Sequence, residues 1–174
     1  MSSNLSSFAV DAVGNLYVSD YNNIYVLDAE GNVQFKLDGS QYNGSLCRLN
    51  AQQVGVMWYN YTDDVNAADE NGQYFVPIDL ETKDWGEKVK LPSNVWSIFP
   101  GDDAYDFYYA YNNNNNIYGY AAKTDTKEKL VDWLACDVDT NNMSGYAMLS
   151  DSRVAALMQD WNTDPTTYQL IVLH

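Results

Sequence analysis

Short runs that alternate apolar and polar residues, turn pairs of the Gly-Asn kind between them, and a four-strand unit recurring along 174 residues together predict an all-β fold. The predicted architecture is a partial β-propeller of about four antiparallel four-stranded blades, the last incomplete, forming a single domain over 1–174. At this length a chain buries roughly two thirds of its unfolded surface, so a substantial core is expected. Aromatic residues make up 14% of the chain, and 15 of them are Tyr. That side chain suits half-buried sheet faces, where the ring packs and the hydroxyl reaches water.

The first blade is predicted over 5–38. "LSSFAVDA" supplies a strand that ends at Gly14-Asn15. In the second strand Leu16 and Val18 point one way and Tyr17 the other; in the third, Ile24 and Val26 oppose Tyr25 and Leu27. Asn22-Asn23 and Glu30-Gly31-Asn32 separate the runs, and both tolerate the left-handed backbone of hairpin turns. The unit is therefore an antiparallel meander.

The second blade is predicted over 45–91, from "LCRLNAQQVGVMWYNY" and "YFVPIDLETKDWGEKVKL", with the polar stretch Thr62 to Gly72 as a loop between its second and third strands. Pro77 cannot donate to a ladder, which predicts an edge or bulged third strand. The third blade, 95–133, repeats the first closely: Gly101-Asp102-Asp103 stands where Gly14-Asn15 stood, Asn112 to Asn116 replaces Asn22-Asn23, and Ile117-Tyr118 matches Ile24-Tyr25. "KTDTKEKLVDW" aligns with an outer strand despite its helix formers. The fourth, 143–174, turns at Asp151-Ser152 and stops after a third strand.

Turn positions 14, 52, 102 and 151 are separated by 38, 50 and 49 residues. A β-sandwich or an up-and-down barrel would use the same strands, but neither predicts a recurring unit of four. Units of this size bury their apolar faces by stacking against neighbours.

The charge balance narrows the partners. With 24 Asp and Glu against 9 Lys and Arg, the net charge of -15 repels a nucleic-acid backbone and an anionic membrane surface. No apolar run approaches the ~20 residues that span a bilayer, and "MSSNLSSFAV" has neither the basic nor the apolar region of a signal peptide. Cys47 and Cys136 are too few for a disulfide framework, and two buried free thiols are expected.

Catalytic machinery is sparse. The one histidine, His174, is the last residue, so a Ser-His-Asp or Cys-His arrangement would rest on a terminal side chain, and zinc meets the same shortage. Asp63-Asp64 and Asp102-Asp103 are adjacent carboxylates that point apart on a strand or turn, unlike a glycosidase pair. "DVDTNN", Asp137 to Asn142, begins like a calcium loop but has Asn142 where glycine belongs and Met148 where the bidentate glutamate belongs. No cofactor or metal is expected. The Asn tract reads as a solvated hairpin loop.

A binding surface is better supported by the aromatic residues. Phe107, Tyr108, Tyr109 and Tyr111 fall on one strand and Trp58, Tyr59 and Tyr61 on its counterpart in the preceding repeat, so alternation sends rings to both faces. Most serve the core. The candidates for ligand contact are Trp58, Tyr59, Tyr109, Tyr111 and Trp161, which could stack on sugar rings or a peptide at small entropy cost.

The unit "VDAVGNLYVSDYNNIYVLDAEGN" resembles the repeat of bacterial β-propellers of the NHL and SMP30-like kind, where "D..GN.YV.D" precedes a strand with "I..L...G". The longer run with "VKLP", "GDDAYDFYYA", "NIYGY", "KLVDW" and "LSDSRVAAL" is similar to the propeller-like region preceding the binding domain of some extracellular solute-binding lipoproteins of anaerobic bacteria. This resemblance implies an extracellular or cell-surface bacterial protein tied to uptake of sugars or peptides, non-catalytic, with a carbohydrate, peptide or protein partner. A lipid-attachment cysteine, a signal segment and a two-lobed binding domain have no counterpart in these residues, so no ligand site transfers. Two alternatives remain: a metal-dependent propeller enzyme of the lactonase or lyase type with carboxylate and Asn ligands, and a closed four-bladed interaction hub.

Overall fold

A computed structural model describes residues 6–20, 22–64, 70–111, 114–149 and 153–173. It is an all-β chain of small antiparallel sheets set as propeller blades. Blade 1 is β1 (Ser7–Val10), β2 (Leu16–Ser19), β3 (Asn23–Leu27) and β4 (Val33–Asp38), in that spatial order. Blade 2 is β5 (Ser45–Arg48), β6 (Val54–Asn60) and β7 (Gly72–Asp79), whose outer edge is shared by two short strands, β8 (Asp84–Trp85) and β9 (Val89–Lys90). Blade 3 is β10 (Val95–Pro100), β11 (Phe107–Tyr111), β12 (Ile117–Ala121) and β13 (Thr126–Val131). Blade 4 has three strands, β14 (Met143–Met148), β15 (Val154–Asp160) and β16 (Thr167–Leu173). Helical structure is slight: 3₁₀ turns stand at Ala122–Thr124 and Thr140–Asn142.

Strand register explains how each blade gains two apolar faces. In blade 1, Ala9, Tyr17, Val26 and Phe35 line up across the four strands, as do Ser7, Ser19, Ile24 and Leu37; these share one face. That face meets Leu46, Val54, Val56, Tyr74, Val76 and Ile78 of blade 2 in one core cluster. A second cluster joins Leu49, Phe75 and Leu91 of blade 2 to Val95, Ile98, Phe107 and Tyr109 of blade 3. A third joins Tyr108, Ala110, Ile117 and Val131 of blade 3 to Val154 and Ala156 of blade 4, with Trp133 and Val138 from the connection between them. Each cluster is therefore an interface between consecutive blades, which is the packing expected of sheets that bury faces only against neighbours.

Polar links reinforce these contacts near the blade ends. The Ala12 amide donates to the Ala51 carbonyl and the Gly101 amide to the Leu49 carbonyl, each at 3.2 Å, so turns of successive blades are tied together. Gln73 is bonded to the Val95 backbone in both directions, at 2.7 and 2.8 Å, across blades 2 and 3.

In blades 1 to 3 the turns between the first two strands share one device. The Asp11 carboxylate, 7% exposed, accepts from the amides of Val13 and Asn15, the Asn15 side chain and the Tyr17 hydroxyl. Burial pushes its pKa up, but these bonds outweigh it and hold the group below the ordinary carboxylate value. Asp102 does the same for the amides of Ala104 and Tyr105 and the Tyr108 hydroxyl, six residues on as in blade 1. Asn50 accepts from the Gln52 and Gln53 amides in blade 2. These are Asx turns, in which a short side chain replaces a backbone acceptor. Gly14 completes the first with φ +94, a conformation that disfavours any Cβ.

Two expectations are corrected. β7 is not an edge strand: it pairs with β6 over Gly72 to Pro77 and, on its other side, with β9 at Tyr74 and Phe75 and with β8 at Ile78 and Asp79. Pro77 falls in the break between β9 and β8, where its missing donor leaves no ladder bond unmade, and its carbonyl accepts from the Gly86 amide at 2.8 Å. Cys136 is not buried; both cysteines are free, Cys47 half-buried in β5 and Cys136 exposed in the connection after blade 3. The expected turn at Asp151-Ser152, part of the Asn tract (Asn112, Asn113), part of the Thr62 to Gly72 loop and His174 lie outside the described residues.

Candidate functional site

The five aromatic candidates lie on three blades. Trp58, on β6, faces blade 1, edge-on to Tyr42 with ring centres 5.1 Å apart and tilted against Tyr74 at 5.8 Å; Tyr42 also meets Trp85 at 5.0 Å. The Lys88 ammonium sits over both Trp58 and Tyr74, and Lys90 over Tyr74. These cations already occupy ring faces, a cation–π arrangement that makes the group a packed cluster rather than an open platform. Tyr59, one position on, points to the opposite face and is exposed.

Tyr109 is closed to solvent at 2% exposure, stacked on Tyr118 with centres 5.4 Å apart. Alternation turns it toward blade 2, and burial, followed by the neighbouring tyrosines, pushes its hydroxyl up to about 12. Tyr111 is half-buried and accepts a 3.2 Å bond from the Asn94 side chain. Tyr59 pairs with Gln73 and Tyr111 with Val95, so register sets these two rings on either side of the Gln73–Val95 link. Trp161 is 66% exposed after β15, on a different blade. The set does not converge on one place.

A concave surface forms instead where residues 132–142 run from blade 3 to blade 4. This cleft holds about 610 Å³ and is lined by Tyr118, Lys129, Asp132, Trp133, Asp137 and Asn141, among others. Its floor is built from the sequence outward. Trp133 is 1% exposed and belongs to the core between blades 3 and 4; its indole N–H donates to the Asn115 carbonyl at 2.7 Å and its amide to the Asn116 side chain at 3.2 Å. Asn116, itself buried, thus anchors the start of the connection to the β11–β12 turn.

Polar groups form the rim. Lys129 is paired with Asp132, which holds the ammonium above and the carboxylate below their ordinary values. The Asp139 carboxylate accepts from the Asn141 amide and from the Asn141 and Asn142 side chains, capping the 3₁₀ turn. The stretch that begins like a calcium loop therefore directs Asp139 onto its own backbone. Among the described residues no group of three or more His, Cys, Asp or Glu gathers at metal-holding reach. Chemically the cleft offers the partly exposed Tyr118 ring and the exposed Leu134 side chain over buried Trp133, with amides, carboxylates and one cation around them. The reading of the sequence missed it because Trp133 and Asn116 look like ordinary strand-end residues; the signal was the eleven-residue connection that carries Trp and five Asp or Asn without strand periodicity.

A smaller polar hollow of about 300 Å³ lies between blades 1 and 2, lined by Ser6, Ser7, Ser19 and Ser45 with Tyr42 and Asn43. Ser7 and Ser19 are already committed there, to the Leu46 amide and the Ser6 hydroxyl.

No protein-family model matches the chain, and no curated protein matches its sequence. Among solved structures it is similar to the hydrazine synthase of Kuenenia stuttgartiensis, with 12% identity and a TM-score of 0.51 over 95% of this chain. The chain spans 45% of the length of that one. At this identity the likeness bears on the fold alone, and it agrees with the propeller-like arrangement of blades.

Proposed function

We propose that this chain is a non-catalytic recognition module built on propeller blades, which takes a neutral or cationic polar ligand, a carbohydrate or a peptide, in the cleft beside blade 3. The observation that carries this is the cleft itself: the partly exposed Tyr118 ring and the exposed Leu134 side chain, backed by buried Trp133 and surrounded by polar side chains, are a composition that holds a small polar ligand. The acidic rim and the net charge of -15 select against anionic ligands. The resemblance to the propeller-like region of solute-binding lipoproteins supports an extracytoplasmic role in bacterial solute capture, with the module as recognition surface or scaffold. Carboxylates in the turns support a structural rather than a chemical use of acid groups, since Asp11, Asp102 and Asp139 are each spent on local backbone amides.

A titration of ¹⁵N-labelled chain with neutral oligosaccharides and with short peptides tests the reading. Shifts confined to residues 114–118 and 129–141, weakened by Asn141→Ala, are the expected result. Shifts centred on the Trp58 cluster or on Trp161 would move the site, and none across the panel would remove it.

A further inference from the structure

Four blades in a row have three internal interfaces, and the three core clusters account for them. The outward faces of blades 1 and 4 belong to none. On blade 1, register places Phe8, Val18, Tyr25 and Lys36 in one row and Val10, Leu16, Leu27 and Val33 in the next, on the face turned away from blade 2. Phe8 is 73% exposed, Val33 52% and Val10 43%. On blade 4 the face turned away from blade 3 carries Gly145, Leu157 and Leu170 in one row and Ala147, Ala155 and Val172 in another, with Gln159 opposite Tyr168. Leu170 is 66% exposed, Tyr168 60% and Leu157 39%. The exposure of these side chains means that the two end faces do not cover one another within one copy.

Both faces carry little net charge in a strongly acidic chain: among the sixteen positions just named Lys36 is the one ionisable acid or base apart from the tyrosines, the next row of blade 1 sets Asp38 beside Lys36 as its counter-charge, and the Asp20 carboxylate accepts from the Tyr25 hydroxyl. Charge is the usual protection of a solvated sheet, and its absence marks faces built for burial. They are also of opposite kinds. Blade 1 presents the side that a preceding blade would cover, and blade 4 the side that a following blade would cover. One chain therefore carries both halves of the same type of interface that already joins its own blades.

We propose that two copies of this chain associate head to tail, blade 4 of each covering blade 1 of the other, to close an eight-bladed ring. The arrangement has a two-fold axis and two equivalent interfaces, and eight blades lies within the range that propellers adopt. Strands ~4.8 Å apart and about five residues long at ~3.4 Å each give a face of roughly 250–300 Å². Over the two contacts together, four such faces amount to about 1,000–1,200 Å², the lower end of the area that specific interfaces bury. The blade 4 rows named above hold no acid or base, and on blade 1 Lys36 offsets Asp38, so two acidic copies can meet without placing like charges opposite each other.

Light scattering on the size-exclusion peak of the 174-residue chain, over a concentration series, provides the test. The expected mass is twice the 19.7 kDa of one chain. Leu157→Glu with Leu170→Glu, and separately Phe8→Glu with Val10→Glu, should each return the mass to one chain with an unchanged circular dichroism spectrum, because these side chains lie outside the core clusters. A single-chain mass at every concentration overturns the proposal and leaves the end faces to another occupant. So does a dimer that survives both pairs of substitutions, and so does a ladder of open assemblies, which would show the contact without closure.

Discussion

Gly119→Ala puts the packing of blade 3 to a quantitative test. Gly119 sits in β12, between Tyr108 on β11 and Glu128 on β13, and the Tyr105 ring lies across it. A Cβ at Gly119 would fall 2.6 Å from two atoms of that ring and 2.7 Å from a third. The ring is held at both ends, edge-on to Tyr108 with centres 5.5 Å apart and bonded through its hydroxyl to Glu128, so it cannot slide without losing one contact or the other. Overpacking of this kind costs about 1–3 kcal/mol. In a domain of this size each kcal/mol lowers the Tm by roughly 2–4 °C, so thermal unfolding should fall by about 2–12 °C. In a Tyr105→Ala background the three nearest atoms are gone, and the same substitution should be neutral or stabilising by roughly 0.5–1 kcal/mol, the ordinary gain of Ala over Gly in a strand. A double-mutant cycle by urea unfolding reads the coupling directly. An equal penalty in both backgrounds would refute the assigned contact.

Other expectations follow from the same geometry. Tyr109→Ala removes a buried ring and should cost about 3–5 kcal/mol in urea unfolding, whereas Trp161→Ala, at an exposed turn, should stay within about 0.5 kcal/mol. Asp11, Asp28, Asp38 and Asp79 are all held below the ordinary carboxylate value of 3.8, chiefly by turn hydrogen bonds that in Asp11 must first overcome burial. Their stabilising contribution is complete above that value and is lost as pH falls through the lower folded values, so the urea midpoint should drop on acidification below about 4, and less steeply in Asp11→Asn. At the alkaline end Tyr17 is raised by burial and then by Asp11, and Tyr109 to about 12 by burial; the unfolded phenols ionise first, so stability should decline from about pH 10 upward. A thiol reagent at pH 8 should modify Cys136 in the native chain and reach Cys47, whose thiol burial pushes up to about 12, only on unfolding.

The strands and their grouping were legible because turn residues and period-two alternation act over a few residues. "GNLYVSDYNNIYVL" yields β2 and β3 with Asn22-Asn23 between them, and the three-stranded fourth sheet follows from the same rule. Which side chains stay open was not legible. In a blade both faces are covered, so alternation on β6 or β11 distinguishes one neighbour from the other rather than inside from outside; Trp58 and Tyr109 both ended in packed clusters for that reason. Gly14-Asn15 marks its turn in the sequence, but the Asp11 carboxylate organises it, and the recurrence of that device at Asn50 and Asp102 marks the repeat as well as glycine does. The cleft depends on Trp133 meeting the Asn115 and Asn116 turn from seventeen or more residues away, a contact that no local pattern announces. Pro77 forbids a ladder bond only at its own position, and the two short strands that share the β7 edge leave that position free, an arrangement that the sequence of β7 alone does not announce.

Methyl-to-methyl nuclear Overhauser effects on a selectively labelled chain address the blade arrangement most directly. Side-by-side blades predict cross-peaks within three separate groups: Ile24 and Val26 with Val56 and Val76, Leu49 and Leu91 with Val95 and Ile98, and Ile117 and Val131 with Val154 and Ala156. Cross-peaks joining the core methyls of β2 and β3 to those of β11 and β12, as two face-to-face layers would give, would contradict it.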